Sequence, residues 1–126
     1  MIHKNKDEGK NIDLSITEKE TNERKEIDGE IKINYPGRFD SISINSQIED
    51  SSDVFTYIEI NNKKIDHPYA RLSIFQKEIQ DHKTIKFKAF THHIPKNDES
   101  NVKFRATLIQ EHKEIASDVK FIKIKK

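Results

Sequence analysis

The 126-residue chain contains no cysteine, which removes disulfides, thiolate metal centres and a cysteine nucleophile together. Glycine and proline number three each. That scarcity leaves no phosphate-cradling loop, no dinucleotide fingerprint and no nucleophile elbow around a serine. No apolar run approaches the roughly 18 to 20 residues of a membrane-spanning helix. The opening MIHKNKDEGKN lacks the hydrophobic stretch of a signal peptide, and neither a myristoylation signal nor a prenylation box is present. These absences predict a cytoplasmic protein with no cofactor, no membrane insertion and no catalytic residues.

Apolar residues are also scarce, at 33% against 36% charged. Such a balance can mark disorder, but a disordered chain is poor in β-branched and aromatic residues. Here isoleucine occurs 20 times, and ten aromatics accompany it. The apolar residues that are present are large, branched and regularly spaced. A folded chain of this length holds one core.

The spacing is strict alternation, the period of a half-buried strand. NIDLSIT sets Ile12, Leu14 and Ile16 on one face, and EIKINY does the same with Ile31, Ile33 and Tyr35. Pro36-Gly37 then reads as a turn. FDSISINSQI, VFTYIEIN and HPYARLSIF follow, separated by the polar EDSSD and by a turn at Asn61-Asn62. TIKFKAF, VKFRATLI and DVKFIKIKK complete the series. In the last, Val119 and Phe121 fall out of phase with Ile122 and Ile124, which predicts a bulge near Phe121 and Ile122. The charged stretch 18–26 reads as a long exposed loop or hairpin extension, and residues 75–83 have room for one helical turn. The expected architecture is all-β: a single antiparallel β-sandwich of about seven or eight strands over residues 11–126, after a flexible tail at 1–10.

The order of strand signals resembles the N-terminal sandwich of arrestin-like proteins. DGEIKINY followed by FDSISINSQI is similar to their early strand pair. IKFKAFTHHIP followed by NVKFRATLIQEH is similar to their proline-ended strand and the long strand after it. Immunoglobulin-like sandwiches share most of this pattern. The resemblance implies a binding scaffold rather than an enzyme, and assigns no functional residue.

Charge is unevenly placed. Residues 83–126 carry eleven Lys/Arg and five Asp/Glu, whereas residues 27–82 carry six and ten. Alternation sends Lys86, Lys88 and Phe90 outward from one strand and Lys103 and Arg105 from the next, with Lys120, Lys123 and Lys125 joining from the last. If these strands share a sheet, they form one basic face with an aromatic on it. Such a face suits a protein partner or another anion; the alternative is a small nucleic-acid-binding barrel, in which cations track phosphates and an aromatic stacks on a base. The main expectation is a non-enzymatic adaptor that binds a protein partner through this face or a sheet edge, with self-association through edge strands as a further option.

The histidines are the remaining candidates. His92 and His93 are adjacent, so in extended backbone they point to opposite faces and cannot chelate one ion. If strands 84–91 and 102–109 form a hairpin, His82 and His112 become neighbours near Asp81, Glu111 and Glu114, a weak metal or acid/base candidate. Glu49, Asp50 and Asp53 in EDSSD could offer oxygens to calcium, although Ser and Asp are also ordinary turn residues.

Overall fold

Alternating isoleucines need a surface to bury against, and two sheets supply it to each other. The computed structural model describes residues 10–126 apart from positions 22, 80 and 82; the expected tail therefore lies almost wholly outside the described residues. Nine strands are seen among those residues: β1 (Ile12–Glu20), β2 (Lys25–Ile33), β3 (Ser41–Ile48), β4 (Thr56–Ile60), β5 (Lys63–His67), β6 (Arg71–Phe75), β7 (Thr84–Thr91), β8 (Glu99–Gln110) and β9 (Lys113–Lys125). They form a five-stranded sheet in the order β1-β2-β7-β4-β5 and a four-stranded sheet in the order β6-β3-β8-β9. Every pairing is antiparallel. The fold is thus the expected β-sandwich. One short 3-10 turn, Gln76–Glu78, follows β6.

Between the sheets Ile12, Leu14, Ile27, Ile31, Ile85, Phe87 and Ala89 meet Ile42, Ile44, Val102, Phe104, Ala106 and Leu108, all buried. Each large aliphatic taken out of water stabilises the fold by roughly 1.5–3 kcal/mol before conformational entropy is counted. Tyr57 is fully buried among them, and its hydroxyl donates to the Ala70 carbonyl at 2.9 Å. That bond ties β4 to the segment leading into β6, on the other sheet. Gly29 sits opposite Phe87 in the β2–β7 ladder, and the Phe87 ring occupies the space a side chain would need. A Cβ there would lie 2.1 Å from Phe87 Cζ.

Three expectations are corrected. Strands 84–91 and 102–109 do not form a hairpin; β7 lies between β2 and β4, whereas β8 lies between β3 and β9. The chain between them crosses the sandwich. Charge favours the observed pairing, since Glu30 stands opposite Lys86 and Asp28 opposite Lys88. The β9 bulge is not at Phe121 and Ile122. Register with β8 slips where Leu108 faces Ala116 and Ile109 faces Glu114, so Ile115 is the extra residue. Beyond it Ile122 and Ile124 face the core and Phe121 faces solvent. The third is β5, KKIDH, which has one apolar residue and no strand signal.

Both tight hairpins, β4–β5 and β8–β9, turn on two residues at positive φ: Asn61 (47°) with Asn62 (69°), and Glu111 (50°) with His112 (66°). Two successive positive φ values mark the type I′ turn whose twist matches the flanking strands.

Candidate interaction surface

The expected basic face is divided by the fold. Lys86, Lys88 and Phe90 lie on the outer face of the five-stranded sheet, where Lys88 faces both Asp28 and Glu59. Phe90 is capped by the Arg24 guanidinium, 4.0 Å from its ring centroid, and has the His92 ring against its edge side. Lys103, Arg105 and Lys123 lie on the outer face of the four-stranded sheet, on the opposite side of the sandwich. Lys120 belongs to neither outer face. It stands opposite buried Phe104 and shares that residue's face of the ladder, because the Ile115 bulge resets the phase of β9. Arg105 pairs with Glu114, and Lys123 lies 3.2 Å from Glu99. Among the described residues, Arg71, Lys103 and Lys125 on this face have no ion-pair partner. Phe121 is directly opposite Lys103 and 71% exposed.

The edges of the two sheets differ in availability. β1 is edged by β9 across the sandwich, and the Asp118 carboxylate accepts the otherwise free N–H of Leu14 at 2.8 Å. β5 is a short edge guarded by Lys63, Lys64 and Asp66, a common protection against pairing with other chains. β6 is the open edge. Ser46 N–H donates to the Ala70 carbonyl and Gln76 N–H to the Asp40 carbonyl, so residues 70, 72, 74 and 76 bond to β3. The main-chain groups of Arg71, Ser73 and Phe75 therefore point away from the sheet. The Arg71 carbonyl is met by His67 Nε2 at 2.6 Å; among the described residues Ser73 has no such cover. Exposed Tyr69 and Phe75 stand at the two ends of this strand. Phe75 also forms one wall of a 490 Å³ cleft with Tyr35, Phe39, Arg38 and Lys77.

The histidine candidates resolve differently. His82 lies outside the described residues. His112 occupies the β8–β9 turn, and the β7–β8 adjacency on which its pairing with His82 depended is not formed. Asp81 accepts the N–H groups of Lys83 and Thr84 at 2.9 and 3.0 Å, and these bonds hold its carboxyl below the ordinary value. Among the described residues no three potential ligands converge on a metal position. Two of the three EDSSD acids are engaged by protein groups: Asn101 donates to Glu49 at 2.5 Å, and Asp53 meets His93.

The sequence singled out His93 beside His92 but did not show its partners, Asp53 and Ser100. His93 is buried where β7 ends, while neighbouring His92 is exposed. Its Nδ1 lies 2.8 Å from Asp53 Oδ2 and its Nε2 lies 3.0 Å from Ser100 Oγ. The His93 N–H also donates to Thr91 Oγ1, whose hydroxyl donates to the Val54 carbonyl. The cluster fastens the β3–β4 connection, the β7 exit and the start of β8 at one end of the sandwich.

Neither a protein-family model nor a curated protein matches this chain. Its fold is similar to that of solved structures. Against the CFA/I adhesin CfaE of enterotoxigenic E. coli the TM-score is 0.57 at 11% identity, covering 90% of this chain and 47% of the adhesin. A chain from a structure of Gaeumannomyces graminis manganese lipoxygenase and Komagataella pastoris zonadhesin gives 0.52 at 11% identity, covering 89% and 46%. The human F-spondin reeler domain gives 0.48 at 12% identity, covering 90% and 88%. The chain thus spans about half the length of the first two. At these identities the likeness concerns the β-sandwich fold; the arrestin-like part of the sequence resemblance rests on strand pattern alone.

Proposed function

We propose that this β-sandwich is a protein-binding module, working by contact rather than turnover, and that it takes an extended partner segment onto the β6 edge. The observation that carries this reading is the outward row of Arg71, Ser73 and Phe75 main-chain groups, beside uncovered cations on the same outer face. An added strand would satisfy the outward groups of Ser73 and Phe75, and its alternate side chains would lie beside Arg71 and Phe75. The complementary segment carries a carboxylate near Arg71 and Arg105 and an apolar residue near Phe75, with the aromatic cleft beyond it. Similarity to an adhesin supports a binding role for the fold.

The test is fluorescence anisotropy with a labelled ten-residue threonine-rich peptide carrying Glu and Val four residues apart, so that both fall on the face of Arg71 and Phe75. Binding in the micromolar range that weakens with salt is expected. Ser73→Pro removes an outward N–H without touching the β3 pairing, a place where an edge strand tolerates proline; it should abolish binding while the circular dichroism spectrum is unchanged. Arg71→Glu should weaken binding at least tenfold. Equal binding by wild type and Ser73→Pro would overturn the assignment to this edge.

A further inference from the structure

Asp53, His93 and Ser100 form a hydrogen-bonded series whose direction is set by chemistry. A carboxylate only accepts, so the 2.8 Å contact places the His93 proton on Nδ1. With that proton on Nδ1, an otherwise unprotonated ring presents Nε2 as an acceptor to the Ser100 hydroxyl, 3.0 Å away. Hydrogen bonds from His93, foremost, and Ser51 hold the Asp53 carboxyl below its ordinary value, which keeps it ionised at neutral pH. The three side chains come from three separate segments, and the order carboxylate–imidazole–hydroxyl is the one that activates a serine. His93 and Ser100 line a surface cleft of 340 Å³ shared with Glu49, Asp50, Lys96, Asn97 and Glu99.

We propose that Ser100 is a reactive acyl-acceptor site, with His93 as its general base and Asp53 as the residue that positions the imidazole. The reaction is stoichiometric modification of the protein by an activated ester, which goes beyond partner binding and uses a different part of the surface. Ser100 Oγ attacks the acyl carbonyl carbon and forms the Oγ–C bond as its proton passes to His93 Nε2. The tetrahedral adduct collapses by breaking the bond to the leaving oxygen, which departs as the alcohol with the proton returned from the imidazolium. Three carboxylates against one lysine in the cleft lining favour neutral or cationic acyl groups over anionic ones.

The probe is p-nitrophenyl acetate, read by intact mass and by mapping the acetylated peptide. Acetylation at Ser100 is expected, with loss in Ser100→Ala. His93→Gln should slow it by about 100-fold or more, the usual contribution of a general base. Asp53 is mostly exposed, so Asp53→Asn leaves packing intact and should slow Ser100 acetylation about tenfold or more; this variant decides the matter should His93→Gln unfold. Acetyl groups confined to lysines, or a Ser100 rate unchanged in His93→Gln and Asp53→Asn, would overturn the proposal. Peptide binding at the β6 edge is unaffected by either result.

Discussion

Single side chains carry the tightest constraints. Gly29 is held as glycine by the Phe87 ring, which is 1% exposed and lies where a Cβ would project. Gly29→Ala should lower stability by about 1–3 kcal/mol in denaturant melts, the usual cost of overpacking. Adding Phe87→Leu should recover part of that loss, since the two changes share one space. Simple additivity would show that the ring is not the obstacle. At the Asp53–His93 contact the sign of the pH effect follows from the depressed carboxyl. A native value below the ordinary 3.8 contributes stability above the unfolded value and loses it as pH falls through the native one. Melting temperatures compared at pH 7 and pH 3 should therefore differ less in Asp53→Asn than in wild type; equal differences would mean that Asp53 titrates alike in the folded and unfolded chain. None of this was legible along the chain. Gly29 follows Asp28, a pair that reads as a turn rather than as a mid-strand contact, and Asp53 and His93 are 40 residues apart in sequence.

At the level of strands and turns, periodicity was informative about faces and silent about neighbours. The isoleucines of β2, β3 and β7 lie on the buried side that alternation requires. Every strand has the same period of two, however, so nothing in the pattern of β7 chooses β2 over β8. That choice rests on cross-strand charge and on where the 92–98 segment leads. The bulge at Ile115 was hidden for a related reason: one extra residue shifts phase wherever it sits upstream, and the shift became visible only at Phe121 and Ile122. Asn61-Asn62 announces its turn, because asparagine tolerates the left-handed region. Glu111-His112 does not, and two non-glycine residues there hold a conformation that costs roughly 1–2 kcal/mol each. Replacing them together, Glu111→Asn with His112→Gly, should raise stability by about 1–2 kcal/mol in a thermal or denaturant melt, with the β8–β9 register retained. Any loss of stability would mean that their side chains contribute more than the turn geometry costs.

Across the whole molecule, the charge asymmetry seen in sequence is real but is split by the sandwich onto opposite sides. The β7 lysines stand in register with Asp28, Glu30 and Glu59, and on the β8–β9 side Arg71, Lys103 and Lys125 have no ion-pair partner among the described residues. A nucleic-acid strand crossing that face would meet about three unneutralised cations, and each phosphate neutralised adds about −0.7 to the salt slope for a single strand. Anisotropy with a labelled single-stranded oligonucleotide should therefore give a log–log salt slope no steeper than about −2. Affinity would fall by roughly fifteenfold between 50 and 200 mM salt, leaving no binding of consequence at physiological ionic strength. A slope of about −4 or steeper would require the lysines of both sheets to contact one ligand, as the nucleic-acid reading supposed. With the shallow slope, the long-range field is too weak to select a polyanion. Selection then falls to contacts that need shape as well as charge, which the proposed partner site at the β6 edge would supply through outward main-chain groups flanked by Arg71 and Phe75.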